Sequence, residues 1–336
     1  MRAAVMEAVG SPPAPGEVDE PARDAGSALV AVEAVPLNPV EIRVAAGRHP
    51  VRAQPPYVPG LEGVGRVLES ARIPPGRRVR FESAALPGFG ADGTLAERAA
   101  VPEESLVALP DEAAGDLAAA VGVVGITALL ALERAAPAGD ERVLVLGATG
   151  AVGQMAVQLA KAMGAGRVVA AGRSAERLAR ARELGADAAV DLRAVAPASA
   201  SGERASGGDL SAAFEDAAGG PLDIVIDPLW GEPAMAALRA IATGGRLVNV
   251  GQSAGTDVRL PLEVVRNRQG AIHAISSGWT GLDQKAAAYR QVLEHAVAGR
   301  LVVDREVVPL DEVAAAWERQ DASPGRKLVI SIGGGR

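Results

Sequence analysis

The second half of the chain alternates short apolar runs with stretches whose apolar positions recur at helical spacing. Short runs of Val, Leu and Ile between glycines or polar residues are typical of buried parallel strands. They predict strands at 142–146, 167–171, 188–191, 223–226, 246–250 and 271–275. Helical spacing between these runs predicts helices at 151–164, 175–184, 209–217 and 232–242. The alternation predicts an α/β domain with a doubly wound parallel sheet over residues 116–279.

The first 115 residues follow another pattern. Short β-prone runs occur at 28–35, 63–68, 77–81 and 106–109. Turns rich in Pro and Gly, such as 11–16 and 74–76, separate them. Near the end of the chain, a strand and helix pattern at 301–332 follows a helical stretch at 283–298. We therefore predict a β-rich domain formed by residues 1–115 and 280–336.

Two further segments complete the predicted organisation. The Ala-rich apolar stretch from 116 to 136 predicts a helix at the start of the α/β domain. The segment 196–208 is rich in Ser, Gly and Ala and is predicted to be a loop.

Three glycines at a spacing of three residues join the first predicted strand of the α/β domain to its helix. In a strand–turn–helix unit that seats a pyrophosphate, Gly147 would allow the tight turn and Gly150 the approach of the phosphates. Gly153 would let the helix pack closely. Three intervening residues belong to the same predicted site: Thr149, Ala151 and Val152. The alternative is a tight turn without a ligand, because a glycine pattern alone is weak.

The end of the second predicted strand indicates which nicotinamide cofactor is bound. A site for NAD places Asp or Glu there to hold the ribose 2′-hydroxyl, and here that position is held by Gly172. Arg173, Ser174, Arg177 and Arg193 follow, and Arg can bind a 2′-phosphate in a bidentate way. We therefore predict NADPH as the cofactor. The alternative is that these arginines form a solvated helix face.

Composition and charge exclude several other classes of protein. The chain has 336 residues, enough for two domains, and its formal net charge of −7 disfavours nucleic acid and acidic membranes as partners. No apolar run is long enough to suggest a transmembrane helix, and the first residues lack a long apolar signal core. The absence of cysteine excludes disulfides and thiolate zinc sites, and it favours a cytoplasmic location.

The chain resembles the medium-chain dehydrogenase/reductase superfamily, in particular its zinc-independent, quinone oxidoreductase-like members. The matching segments follow the order and spacing of the family: 1–5, 36–41, 59–65, 125–129, 146–153, 183–187, 227–231, 244–251 and 325–329. The resemblance implies a Rossmann cofactor domain, a GroES-like substrate domain and a homodimer. It also implies hydride transfer between NADPH and a small molecule, a quinone or an enone.

The resemblance also implies individual roles. Asn38 and Thr127 match positions near the nicotinamide and its ribose, where they are predicted to act in catalysis and cofactor binding. The alternatives are a turn residue before Pro39 and a helix hydroxyl bonded to its own backbone. Further predicted cofactor contacts are Asp227, Lys327 and the glycine-rich segment Gly251, Gln252 and Ser253.

The same comparison argues against a catalytic metal. Zinc-dependent relatives use a Cys and a Gly-His-Glu motif, but Leu61 stands at the position of that His and the chain contains no Cys. His49, His273 and His295 are far apart in the sequence and show no metal-ligand spacing. We therefore predict that the site contains no metal.

The sequence departs from the family at one position of the substrate site. Related enzymes often have a Tyr at the position of Arg43, and Arg does not donate its proton as a Tyr hydroxyl can. Either Arg43 polarises an unusually polar or anionic substrate, or it faces solvent and water supplies the proton. Arg48, Tyr57 and Trp279 are predicted to line the substrate pocket, although core packing for Tyr57 and a dimer contact for Trp279 remain alternatives.

Three other functions compete with reduction of a quinone or enone. The first is a reductase-like scaffold recruited to biosynthesis on a polar or anionic substrate. The second is a carbonyl reductase. The third is a serine hydrolase, because Gly-x-Ser-x-Gly around Ser253 follows a predicted strand, and Asp257 or Asp283 and His273 or His295 could complete a triad. A helix must follow such a serine, and Pro261 makes the next segment a poor helix start.

Overall fold

The computed structural model describes residues 1–49, 52–194 and 209–333. The chain divides into two compact units. Unit 1 comprises Met1–Val123 and Gly281–Arg336, and unit 2 comprises Val124–Thr280. The first boundary therefore lies further along the chain than the predicted one at residue 115. The predicted loop at 196–208 lies outside the described residues.

The described residues form strands and α-helices with the following bounds. The strands are β1 (Arg2–Val5), β2 (Ala14–Glu17), β3 (Ser27–Pro36), β4 (Glu62–Glu69), β5 (Arg78–Glu82), β6 (Arg98–Pro102), β7 (Val107–Ala108), β8 (Arg142–Val145), β9 (Arg167–Gly172), β10 (Ala188–Asp191), β11 (Leu222–Asp227), β12 (Ile241–Asn249), β13 (Ala271–Ala274), β14 (Arg305–Pro309) and β15 (Lys327–Ser331). The α-helices are α1 (Pro39–Ala45), α2 (Gly115–Ala120), α3 (Gly122–Ala135), α4 (Ala151–Ala162), α5 (Ala175–Glu183), α6 (Leu210–Ala218), α7 (Gly231–Arg239), α8 (Leu262–Arg266), α9 (Leu282–Val297) and α10 (Val313–Asp321).

Unit 2 is built on a parallel sheet. Within the described residues its six strands have the order β10-β9-β8-β11-β12-β13, and every neighbouring pair is parallel. Buried Leu144, Val169, Phe214 and Val225 belong to one core cluster of this unit. The predicted doubly wound α/β fold is confirmed. Chain order reverses between β8 and β11, and in such sheets ligands bind beyond the carboxyl ends of the strands at that point.

Unit 1 is rich in β-structure, as predicted. Its larger sheet has the order β14-β15-β3-β4-β5-β7, with β6 paired to β3, and a smaller sheet pairs β1 with β2. The C-terminal segment returns to this unit, where β15 runs antiparallel to β3 with Val329 opposite Pro36. Val30, Phe81 and Leu95 pack in its core.

Three predicted elements differ in the structure. The segment 11–16 was predicted to be a turn, but β2 pairs with β1 there, in a two-stranded sheet that tolerates Pro15. The stretch 116–136 forms two helices, because the Glu62 carboxylate accepts hydrogen bonds from the Val123 N–H at the start of α3. The helix predicted at 232–242 ends at Arg239, since β12 begins at Ile241 and pairs with β11.

A helix that crosses a lipid bilayer must be both long and apolar. Within the part of the chain that the structure describes, no helix combines the two properties to the extent that spanning requires.

Candidate functional site

The three glycines of unit 2 form the turn between β8 and α4. Gly147 has a φ of +59°, in the left-handed region where glycine is favoured. A Cβ on Gly153 would lie 2.3 Å from the Gly147 carbonyl oxygen, so this glycine lets α4 pack against the turn. A Cβ on Gly150 would meet no atom nearer than that oxygen, at 3.5 Å. The fold therefore requires Gly147 and Gly153, whereas Gly150 leaves a space open for a ligand.

The first turn of α4 has backbone groups suited to an anion. The Gln154 N–H donates to the Gly150 oxygen at 2.9 Å and makes the first bond of the helix. The N–H groups of Ala151, Val152 and Gly153 precede this bond and so have no helical acceptor. The positive end of the helix dipole adds to their attraction for a phosphate. These residues fit the pyrophosphate of a dinucleotide.

Gly172 stands at the end of β9, where an NAD site has an acidic residue. A Cβ on Gly172 would lie 2.5 Å from Cγ2 of Thr149 in the glycine turn. An Asp or Glu at position 172 would therefore have to shift the Thr149 side chain. Next along the chain, Arg173 is exposed, and the Ser174 hydroxyl caps α5 by accepting the Arg177 N–H at 3.4 Å.

Strand β10 adds a carboxylate that the sequence interpretation missed. Asp191 lies opposite Gly172 in the parallel register of β9 and β10. It accepts a hydrogen bond from the Arg193 N–H at 2.9 Å, and the Arg193 guanidinium lies 3.9 Å from it. The strand pairing that brings this acid beside Gly172 is not visible in the local sequence. Asp191 holds Arg193 at this edge and offsets part of the positive charge there.

Asp227 is a buried carboxylate at the end of β11 that bonds the turn following this strand. Its side chain is fully buried. Oδ1 accepts hydrogen bonds from the backbone N–H groups of Leu229 and Trp230, at 2.9 and 2.8 Å, and Oδ2 accepts one from Asn249 Nδ2 at 2.8 Å. Burial raises its pKa, and these three hydrogen bonds oppose the rise. The Asp227 carboxylate therefore organises the turn after β11, and its cofactor contact stays a prediction.

The segment after β12 packs on that same turn. A Cβ on Gly251 would lie 2.7 Å from the Pro228 oxygen, and the Ser253 hydroxyl donates to this oxygen at 3.2 Å. Gln252 and Ser253 are exposed. The next helix, α8, begins only at Leu262. The serine hydrolase hypothesis is therefore wrong, because a nucleophile elbow needs a helix directly after the serine.

Thr127 meets the segment that carries Trp279. Its hydroxyl donates to Ser277 Oγ at 3.2 Å, and the Thr127 side chain is buried. The Thr127 hydroxyl thus bonds Ser277 and not the backbone of its own helix, which was the alternative. Trp279 is 94% exposed, which places its ring outside any enclosed pocket of unit 2.

Asn38 and Lys327 meet inside unit 1. Asn38 Oδ1 accepts a hydrogen bond from Lys327 Nζ at 2.6 Å, and Asn38 Nδ2 donates to Glu62 Oε1 and to the Pro36 oxygen, both at 3.3 Å. Lys327 is only 2% exposed, and its Nζ also donates to the Leu37 oxygen at 2.8 Å. Both polar groups therefore have hydrogen-bond partners within unit 1, and the cofactor contacts of Asn38 and Lys327 stay predictions.

The pKa of the Lys327 side chain differs from that of an exposed lysine. Burial lowers its pKa to about 8, while the negative charges of Glu62 and Glu41 favour its ammonium form. The ammonium form of Lys327 is therefore stabilised by the two buried side chains of Glu62 and Glu41.

Glu62 is the centre of a second buried group of charges. Its Oε2 accepts a hydrogen bond from Arg80 Nη2 at 2.9 Å, and its two oxygens accept the Val123 N–H at 2.9 and 3.0 Å. Arg80 also lies 2.7 Å from Glu82, which pairs with Lys285. The sequence offered one sign of this network, since the charged residues of β5, Arg78, Arg80 and Glu82, alternate with the apolar Val79 and Phe81.

Two family models match the chain. The model described as alcohol dehydrogenase GroES-like domain matches residues 24–111, and the model described as zinc-binding dehydrogenase matches residues 151–296. Quinone oxidoreductase-like protein 2 of Bos taurus is 30% identical over 307 residues, which are 87% of this chain and 82% of that protein. The chain belongs to the medium-chain dehydrogenase/reductase superfamily and is quinone oxidoreductase-like.

Solved structures of other members are similar along the whole chain. The quinone oxidoreductase of Thermus thermophilus, also known in complex with NADPH, is 32% identical with a TM-score of 0.76, covering 99% of this chain and 100% of its own. An NAD-dependent alcohol dehydrogenase is 26% identical with a TM-score of 0.84 and the same coverage. The chain spans less than two thirds of two further curated relatives, 64% and 45%, whose names include alcohol dehydrogenase.

In this medium-chain dehydrogenase/reductase, the predicted substrate residues occupy different environments. Arg43 is half-buried on α1 and forms no ion pair with the described residues. Arg48 is exposed and pairs with Asp321 of α10. Its place in the lining of the substrate pocket stays a prediction. Tyr57 is 6% exposed and lines a small pocket of unit 1 together with Glu41.

Proposed function

We propose that this protein is an NADPH-dependent, zinc-independent oxidoreductase that transfers hydride to a quinone or an α,β-unsaturated carbonyl compound. The observation that carries the proposal is Gly172 at the end of β9, beside the glycine turn. Position 172 has no carboxylate that could bind a ribose 2′-hydroxyl, and it is closely packed, since a Cβ there would lie 2.5 Å from Cγ2 of Thr149. Arg173 is exposed at the same edge, where a 2′-phosphate would supply its counter-charge.

Different residues of unit 2 would bind different parts of the dinucleotide. The first-turn N–H groups of α4 would hold the pyrophosphate, and Arg173 with Arg177 would hold the 2′-phosphate. When bound, NADPH supplies the hydride. Negative charge then develops on the carbonyl oxygen of the substrate, and hydrogen-bond donors from the protein stabilise it.

One matching family model is described as a zinc-binding dehydrogenase, which raises the question of a catalytic zinc ion in this protein. Among the described residues, no three His, Cys, Asp or Glu side chains come together as a metal site. Leu61 stands where zinc-dependent relatives have their His ligand. Asn38, which bonds the neighbouring Glu62, has an amide oxygen that is already bonded to Lys327. The residues do not fit a catalytic zinc ion, so the proposed reaction uses none.

A polar or anionic substrate is the second candidate. Arg43 is a half-buried cation without an ion pair among the described residues. A substrate carboxylate or phosphate would supply the missing counter-charge. This candidate keeps the same hydride transfer and changes only the chemical class of the acceptor.

A substrate panel tests the proposed function. Oxidation of NADPH by the purified protein should be followed with a benzoquinone, a cyclic enone, an enone carboxylate, an aldehyde and a ketone. We expect turnover of the quinone or of an enone, unchanged after a metal chelator. A clear preference for the enone carboxylate would select the anionic candidate. Turnover of only the aldehyde or the ketone would contradict the proposal.

Replacing Arg173 by Ala should weaken NADPH binding selectively. Loss of a charge-assisted bond to the 2′-phosphate should raise the NADPH Kd about 10- to 100-fold and leave the NADH Kd unchanged. Arg182→Ala, at an exposed position in the last turn of the helix α5 that follows Arg173, is the matched control. Isothermal titration calorimetry measures both. Equal losses for the two cofactors would contradict the assignment of Arg173 to the 2′-phosphate.

We also propose that the protein forms a homodimer through the β13 edge of unit 2. β13 ends the described sheet, and nearby Trp279 and Leu262 are 94% and 66% exposed. An open strand edge beside exposed apolar side chains favours association. Sedimentation should give twice the chain mass, and Trp279→Ser with Leu262→Ser should shift the equilibrium to monomers. A monomeric parent protein at micromolar concentration would contradict this.

A further inference from the structure

Trp230, which follows the turn at the end of β11 and directly precedes α7, has a strained backbone. Its φ and ψ are +56° and −158°, close to a region that is essentially confined to glycine. The next residue, Gly231, also has a positive φ, of +67°, but has no side chain to strain. A glycine at position 230 would adopt the same backbone shape freely, so the shape of the turn alone does not account for a tryptophan.

Hydrogen bonds at the ends of β11 and β12 hold Trp230 in this conformation. Asp227 Oδ1 accepts the backbone N–H groups of Leu229 and Trp230, at 2.9 and 2.8 Å. Asn249 Nδ2, at the end of β12, donates to Asp227 Oδ2 at 2.8 Å. The Ala254 N–H donates to the Leu229 oxygen at 2.8 Å and ties the loop after β12 to the same turn. Strain persists only where the surrounding structure over-determines it, and such residues are concentrated at ligand sites.

Packing within unit 2 accounts for only part of the Trp230 side chain. The side chain is half-buried and packs against the core cluster of this unit. Its indole N–H has no acceptor within the described residues and is not sealed in the core. A buried tryptophan usually finds a partner for this N–H. The strained residue therefore keeps an apolar ring and a hydrogen-bond donor within reach of a ligand.

The order of the strands places the turn that carries Trp230 beside the proposed cofactor site. In the sheet of unit 2, β8 lies between β9 and β11. The turn after β8 would hold the pyrophosphate and Arg173 after β9 the 2′-phosphate, so the nicotinamide nucleoside would extend the other way, over the ends of β11 and β12. The turn after β11 borders the glycine turn directly, since a Cβ on Gly147 would lie 3.1 Å from both Leu229 Cδ2 and Pro228 Cγ.

We propose that Trp230 is a contact residue for the nicotinamide nucleoside, an assignment that rests on the NADPH site of the proposed function. The indole offers apolar area to the nucleoside and an N–H donor to its oxygens. Because Asp227 holds the Trp230 backbone in place, the ring is positioned before the cofactor arrives, and less ordering is left to the binding step.

Substitutions at position 230 test this contact with two ligands. NADPH contains the nicotinamide nucleoside, and adenosine 2′,5′-bisphosphate is the other half of the molecule. Trp230→Ala and Trp230→Gly should each raise the NADPH Kd on the order of 10-fold and leave the Kd of the bisphosphate unchanged. Trp230→Phe, which keeps an aromatic ring, should retain most of the NADPH affinity. Trp230→Gly should unfold at a higher temperature than Trp230→Ala, because glycine adopts the positive φ without strain.

A second measurement needs no substitution at the site. The chain has three tryptophans, so labelling with fluorotryptophan should give three fluorine NMR signals. NADPH should shift the signal of Trp230, and adenosine 2′,5′-bisphosphate should leave it in place. The signal of Trp317, which lies in the core of unit 1, is the internal reference.

The two ligands separate failure of this contact from failure of the proposed function. Equal losses of both ligands in Trp230→Ala and Trp230→Gly, or a Trp230 signal that NADPH leaves in place, would overturn the contact while the proposed function stands. A parent protein that binds both ligands but reduces no quinone or enone would overturn the proposed function alone, since the contact is judged by binding. If the parent protein binds neither ligand, both fail.

Discussion

Replacing Gly150 by Ala is expected to weaken NADPH binding on the order of 100-fold with little change in protein stability. The added methyl group meets no protein atom closer than 3.5 Å, and the φ of −95° at this position is allowed for alanine. It would, however, occupy the space through which the pyrophosphate approaches the first-turn amides, each worth about 1.5–3 kcal/mol toward a charged group. Fluorescence titration with NADPH and thermal unfolding measure the two effects.

Gly153→Ala is the matched control for this prediction. Its Cβ would lie 2.3 Å from the Gly147 oxygen, so α4 would have to shift and the protein should lose about 1–3 kcal/mol of unfolding free energy. A Gly150→Ala protein that binds NADPH as the parent protein does would show that the turn is only structural.

Replacing Glu62 by Gln is expected to destabilise unit 1 by about 3 kcal/mol. The carboxylate is 1% exposed, and the groups that face its oxygens are all donors: Arg80 Nη2, the Val123 N–H and Asn38 Nδ2. Gln offers one oxygen and one NH2 group, so the NH2 must face a donor and Arg80 loses half of its counter-charge. Urea denaturation followed by circular dichroism measures the change.

Glu33→Gln is the control for the effect of charge alone. Glu33 pairs with Arg66 and Arg78 at 3.1 and 3.3 Å, but its side chain is 33% exposed. Its loss should cost less than about 1 kcal/mol, as partly exposed ion pairs usually do. Similar losses in the two variants would contradict the central place given to the buried Glu62 network.

The strands of unit 2 could be predicted because their pattern is local. A strand buried on both faces, such as β9, is a short apolar run whatever its neighbours are. The roles of the glycines were predictable for the same reason, since Gly147, Gly150 and Gly153 belong to one turn. β2 was not predicted because Pro15 and Gly16 are typical of turns. Only their pairing with β1 shows that they belong to a strand.

The buried polar groups could not be predicted in this way. Lys327 reaches Asn38 across 289 positions of the chain, through the pairing of β15 with β3. Motif matching assigned both residues to the cofactor, and it did not predict the hydrogen bond between their side chains. Asp191 was missed because its position beside Gly172 depends on the register of β10 and β9.

Parallel titration of the parent protein with NADPH and NADH, followed by nicotinamide fluorescence, tests the central claim most directly. Because Gly172 stands where an NAD site has an acid and Arg173 is exposed beside it, we expect NADPH to bind on the order of 100-fold more tightly than NADH. An NADH Kd equal to or below that of NADPH would contradict the account.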